Sequence, residues 1–329
     1  MCKSLWLLFA SVLFAMPQAH AVSVPDLYEV ATPVTTTRDA AFVDALKTVV
    51  VRVSGRRDAA ERLGTALNNP RQYVQRFGFT SGNVLQAAFD SRSVDRLLND
   101  AGLPTWGRER PATLVLVSLE SPDGSSIWMD ANTAAPERDA IAIVAKQRGV
   151  PLVWPQMDAQ DRIQTSAIIG NPSAAALLQM AARYGANAVL FGRARRDGAG
   201  GAFVRWTLAV NDNLEESQGA IDTGIHMAAD SFASVYSASG STLDSVALEV
   251  SGIGNLNDYA TTLNYLENMT VVRSVALEQV SGDTLHFKLA VRGDASQLKR
   301  ALALDNKLVP QLSTADPGAT ERLQFRYQP

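Results

Sequence analysis

The cluster in this 329-residue chain whose residue types and spacing come nearest to a catalytic pattern is Ile221-Asp222-Thr223-Gly224-Ile225 followed by His226. Asp-Thr-Gly between apolar residues is how an aspartic protease presents a carboxylate, but that chemistry needs two such loops sharing one proton. No second copy occurs, and HMAADSFASVYSA after it reads as helix, so Asp222-Thr223 fits a helix cap. His226 stands near Asp222 and the serines Ser231 and Ser234, the residue types of a nucleophilic triad. A triad also needs a strained nucleophile turn and an oxyanion hole, and the sequence has no G-x-S-x-G element to supply them. A helical histidine that is exposed or hydrogen-bonded is the simpler account. His286 alternates with Leu285 and Phe287, which places it on a sheet face.

A second cluster is Gly198-Ala199-Gly200-Gly201 with Arg193, Arg195 and Arg196 beside it. Glycine loops cradle phosphate through backbone N–H groups, but the Lys-Ser/Thr of a P-loop is missing and a strand follows instead of a helix. A hairpin tip with solvated arginines fits better. If the chain binds a small ligand, Arg193, Arg195, Arg196, Gly198 and Gly200 form the cationic, backbone-rich surface to examine first. The third cluster, Trp106 with Arg108 and Arg110, suits a cation–π contact that seats one folded unit on the next.

The elements that would position these residues are most legible between Asn171 and Val210. Asn171 and Pro172 suit a helix start, Ala174, Leu177, Leu178, Ala181 and Tyr184 share one face, and Gly185 can end the helix. Ala188 to Phe191 is a short apolar strand, and Phe203 to Val210 alternates as its antiparallel partner. Upstream, Thr37 caps a helix striped by Ala41, Phe42, Ala45, Leu46, Val49 and Val53, whose last turn the β-branched run Val49-Val50-Val51 would favour as extended. A helical patch over residues 59–67, a turn at Asn69-Pro70, a strand over 83–89 and a capped helix over 93–101 follow. Then come a strand over 112–119, a helix over 136–148, a strand over 152–154 and, after the hairpin, a helix over 219–237.

The expected architecture is therefore α+β, in three small α/β units: residues 22–111, 112–240 and 241–329. In the last unit strands over 245–250, 270–279, 284–291 and 323–327 and helices over 257–268 and 294–302 give the order β-α-β-β-α-β of a ferredoxin-like split.

Residues 1–21 have the layout of a secretory signal: Lys3, the apolar stretch Leu5 to Met16, and Ala19-His20-Ala21 as the cleavage site. Cleavage after Ala21 would remove Cys2, the chain's one cysteine, and leave His226 and His286 as its histidines. Disulfides and cysteine chemistry are then excluded, no histidine metal centre is expected, and neither is a cofactor. Thirty Lys and Arg against 33 Asp and Glu form no long run of one sign, which argues against nucleic acid as a partner. No later segment is apolar over a membrane-spanning length, so no stable membrane insertion is expected after cleavage.

Three stretches, Val51 to Arg56, Phe89-Asp90 with Val94 to Leu98, and Gly102 to Gly107 with Arg110-Pro111, together resemble the bacterial domain of unknown function 2066 (DUF2066). That resemblance implies an exported envelope protein and carries no assigned activity or catalytic residues. The middle unit is similar, at fold level only, to the helix–strand–hairpin layers of TolB-amino-terminal and curli-secretion-type (CsgG) proteins. The first unit is similar in the same sense to the small amino-terminal units of flagellar assembly proteins. The expectation is a periplasmic, non-enzymatic accessory or scaffold with an envelope protein as partner. The alternatives are a carboxylate-based hydrolase with its site between units, or a binder of a small envelope ligand at the Arg193–Gly201 loop.

Overall fold

The computed structural model describes residues 21–196, 201–238, 243–304, 307–311 and 322–328. Residues 1–20 of the leader, Gly198, Gly200 and most of the polar stretch joining the second and third units lie outside the described residues. The fold is α+β, with three hydrophobic sheet-and-helix units following one another along the chain.

In the first unit β1 (Ala21–Ser23) and β2 (Glu29–Pro33) lead into α1 (Arg38–Ser54). The Thr37 hydroxyl caps α1 by accepting from Ala40 N at 3.1 Å, and Phe42, Leu46, Val49, Val50 and Val53 are buried along one side. Val49-Val50-Val51 is helical, contrary to its local preference. Burying a valine contributes about 2 kcal/mol, while its helix-propensity deficit is under about 0.7 kcal/mol, so packing wins. Gly55 ends the helix at φ +70°. After α2 (Ala59–Leu63) and two short 3-10 turns, β3 (Val74–Phe79) and β4 (Val84–Phe89) pair, and the antiparallel order β2-β4-β3 lies against α1. The turn expected at Asn69-Pro70 thus runs on into β3, whose mostly exposed residues leave no period-two signal. α3 (Ser91–Asp100) starts earlier than expected because Asp90, not Ser93, is its cap. β5 (Glu109–Pro111) returns to pair with β1.

The second unit contains β6 (Thr113–Glu120), β7 (Ser126–Trp128), α4 (Pro136–Arg148), β8 (Leu152–Val153), α5 (Ala159–Ile168), α6 (Ala174–Arg183), β9 (Ala188–Arg196), β10 (Ala202–Val210), β11 (Asn213–Gly219) and α7 (Thr223–Tyr236). Its sheet runs β11-β10-β9-β6-β7, with β6 parallel to β8 and β9 and the other pairs antiparallel. α4 and α7 cover one face and α5 and α6 the other, so β6, buried from Thr113 to Leu119, reads as a continuous apolar run. The cap of α6 is Ser173, which accepts from Ala176 N, so Asn171 and Pro172 precede the helix instead of opening it. Trp206 of β10 is wedged between two glycines: a Cβ on Gly192 would come within 2.5 Å of its ring and one on Gly224 within 2.4 Å.

The third unit has β12 (Leu243–Ser251), α8 (Leu256–Asn268), β13 (Val272–Ser281), β14 (Thr284–Arg292), α9 (Ala295–Leu302), β15 (Leu308–Pro310) and β16 (Arg322–Tyr327). The β-α-β-β-α-β order is present with β15 added, and the sheet runs β13-β14-β12-β16-β15. β15 takes the edge position and β16 turns back beside β12, parallel to it.

Candidate functional site

The three units converge on residues 102–111, and the residues expected at a unit junction meet there. Trp106 is fully buried; its backbone N–H donates to Val53 O at 2.7 Å, and its ring packs with Phe232 of α7. Thr105 exchanges backbone hydrogen bonds with Ala238, just before the third unit. The Arg110 guanidinium lies 3.7 Å from the centre of the Trp106 ring. Arg108 is more peripheral: it reaches Pro25 O at 3.4 Å and stands over the Tyr28 ring, whose hydroxyl donates to Asp95 at 2.7 Å.

The reason for this clustering is that two helices end at the same place. The C-termini of α1 and α4 abut, each stopped by a left-handed glycine, Gly55 and Gly149. Such ends leave unpaired carbonyls and the negative pole of the helix dipole. Three buried arginines answer both. Arg110 donates to the carbonyls of Arg52, Trp106, Gly107, Arg148 and Gly149 at 2.8–3.0 Å. Arg52 reaches Glu29 O at 2.8 Å and, at 3.3–3.4 Å, the carbonyls of Asp26, Leu27 and Gln147. Arg148 donates to Gly55 O at 2.8 Å and to the Asp230 carboxylate at 2.6 Å. Burial pushes all three guanidiniums below the ordinary arginine value, and for Arg110 the charges of Arg52 and Arg148 act in the same direction. The carbonyl oxygens offset that cost, because a guanidinium stays charged and must find acceptors. Gly149 is required here: a Cβ would lie 2.3 Å from Arg110 Nη1.

Outside this knot is a cleft of about 650 Å³ lined by Ser54 to Asp58 and Arg62 of the first unit, Asp230, Ser234 and Ser237 of the second, and Gln297 of the third. Arg56 grips Asp58 with two hydrogen bonds of 2.8 and 2.7 Å, and Arg57 reaches Asp230 at 3.0 Å. His226 sits one turn before Asp230 on α7 and 3.9 Å from Asp222. Burial pushes its pKa down, and the Arg148 charge adds to that.

The other sequence clusters do not assemble. Asp222 stands at the N-cap position of α7, as expected of Asp222-Thr223, but its side chain makes no cap hydrogen bond, and Gly224 serves close packing on Trp206. Ser231 donates to Glu215 at 2.6 Å and Ser234 to Ser231 O, so neither is directed at His226. In the hairpin, Arg196 grips Glu137 with two hydrogen bonds, Arg195 lies 3.6 Å from Glu120, and Arg193 reaches Ile169 O. His286 faces Glu249 on the sheet surface. Sequence reasoning missed Arg52, Arg148, Asp158, Asp161 and Asp230. Asp158 and Asp161 hold Arg183, and Tyr184 donates to the buried Asp161, fastening α5 to α6. Arg52 and Arg148 carried a usable signal, an arginine in the last turn before a helix-ending glycine.

Residues 21–107 match the family described as Domain of unknown function (DUF8605). This overturns the resemblance to DUF2066. The stretches quoted for that resemblance fall largely inside the matched span, and physically they are the α1 terminus, α3 and the residues leading into the junction. No curated protein matches the chain. Among solved structures, the LpoB C-terminal domain from Salmonella enterica is similar at 14% identity, covering 33% of this chain and 81% of that one, with a TM-score of 0.20.

Proposed function

We propose that this chain is an exported, non-enzymatic accessory or scaffold protein of the cell envelope. The observation that carries the reading is how the ionisable groups are used where the units meet. The buried arginines bond main-chain carbonyls, and the cleft carboxylates Asp58 and Asp230 are each held by arginine. A carboxylate-based hydrolase would need one carboxylate free to take a proton and another poised against substrate. Export rests on the layout of residues 1–21. No helix among the described residues is long and apolar enough to cross a membrane.

A scaffold needs a surface for its partner. The third unit presents an edge of β13 that is unpaired among the described residues, with Leu277 and Val280 exposed and Leu256 nearby. Two register shifts in β13 reduce unspecific pairing along that edge. The test is affinity capture from envelope extract with the mature chain as bait, alongside Leu277→Asp. A reproducible protein partner that the variant releases is the expected result. Capture of no reproducible partner by the wild-type chain contradicts the scaffold reading, and intact mass starting before Val22 contradicts export with cleavage.

A further inference from the structure

The junction cleft holds more positive charge than the protein neutralises. Arg56, Arg57, Arg62 and, behind the floor, Arg148 have two carboxylates among them, Asp58 and Asp230. Asp230 is shared: Arg148 takes one of its oxygens and Arg57 the other. The Arg62 guanidinium makes no hydrogen bond or ion pair among the described residues, although its charge acts on Asp58. Arg148, only 2% exposed, keeps Nε and Nη1 without a partner there, and the buried Nδ1 of His226 is likewise unpartnered. Excess guanidinium around a concave space fits a ligand whose oxygens can take paired N–H donors.

We propose that this cleft binds a doubly charged oxyanion of the phosphate class, inorganic phosphate or a phosphate monoester, held by Arg57 and Arg62 with Arg56 at its side. The charge excess sets the class, since a dianion balances it. The walls supply neutral polar groups, Ser234, Ser237 and the Gln297 amide. Because the walls come from all three units, an occupied cleft ties them together. The site is distinct from the scaffold reading and does not depend on it.

His226 reports occupancy. Asp222 and Asp230 act on it from α7, Arg148 from α4 and Arg57 from the cleft wall, and the two arginines oppose its protonation. A bound dianion reverses part of that field, so the His226 pKa rises, by about half a unit or more. The experiment follows the imidazole proton resonances of the mature chain across pH, in inorganic phosphate and in chloride at equal ionic strength. His286, on the sheet of the third unit, is the internal control. Expected are a saturable rise for His226, none for His286, and loss of the phosphate-dependent rise in the Arg57→Gln/Arg62→Gln variant, while Arg195→Gln behaves as wild type. Glycerol phosphate binding more tightly than phosphate identifies an ester as the ligand, and equal or weaker binding identifies free phosphate. An equal drift of both histidines, the absence of saturation, or a response removed by Arg195→Gln instead overturns the proposal.

Discussion

Arg52 and Arg57 are five residues apart and have opposite surroundings. Arg52 is 3% exposed and donates only to main-chain carbonyls, whereas the Arg57 side chain is 63% exposed and reaches one shared carboxylate. The same division in burial separates Arg110 and Arg148 from Arg56 and Arg62, although Arg148 also donates to Asp230. It teaches that residue type does not settle the role of an arginine here; distance from a helix end does. Where α1 and α4 stop against each other, guanidiniums replace the missing turn of N–H donors. A few residues on, they face a cleft.

The comparison is broken most severely by removing the ring that Arg110 stacks on. Trp106→Ala should destabilise the protein by about 3–5 kcal/mol, read by urea unfolding, and expose residues 102–111 to limited proteolysis. Trp106→Phe should cost clearly less, since the indole N–H has no hydrogen-bond partner among the described residues. Melting and proteolysis of Trp106→Ala identical to wild type would sink the junction account. Next in size is Gly149→Val, which puts a β-branched residue at φ +69° and a Cβ against Arg110, for an expected loss of about 2–3 kcal/mol. Asp230→Asn follows at about 1–2 kcal/mol, because it strips the buried Arg148 of its charge partner while Asp230 itself is 39% exposed.

A pH effect sharpens the boundary between the two sets. The His226 pKa in the folded protein is below its ordinary value, so the neutral ring is the form folding prefers. Its contribution is full above about pH 6.5 and is lost as pH falls toward and through the lowered folded pKa. His226→Gln should flatten that part of the stability profile, and an unchanged profile would show that the ring does not feel the arginines. The smallest effect belongs to the rim: Arg57→Gln/Arg62→Gln should change stability in urea by about 0.5 kcal/mol or less. A loss as large as that of Trp106→Ala would erase the distinction.

Local elements were legible in the sequence wherever burial imposed a period. The stripe of α1, the continuous strand β6 and the alternation of β10 are examples. β3, β7 and β11 were not, because each lies at a sheet edge with mostly exposed side chains, and α5 carries its buried polar residues Asp161 and Thr165 where an apolar stripe would be sought. Trp106 and Arg110 could be placed at a junction from their types alone. Their partners could not, since what Arg110 binds is a set of carbonyls brought together by two helix ends far apart in the chain. The hairpin arginines drew attention through a glycine run, yet the structure ties Arg196 to Glu137, a pair 59 residues apart that no local pattern announces.

The central claim is that Arg110 holds the junction together by satisfying carbonyls that no other group reaches among the described residues. Its most direct test is equilibrium unfolding of Arg110→Met, which keeps much of the side-chain volume and removes every donor. With five carbonyls left unpaired at about 1 kcal/mol each, partly relieved by relaxation, the account predicts a loss of about 3 kcal/mol or more. Stability within about 0.5 kcal/mol of wild type would contradict it.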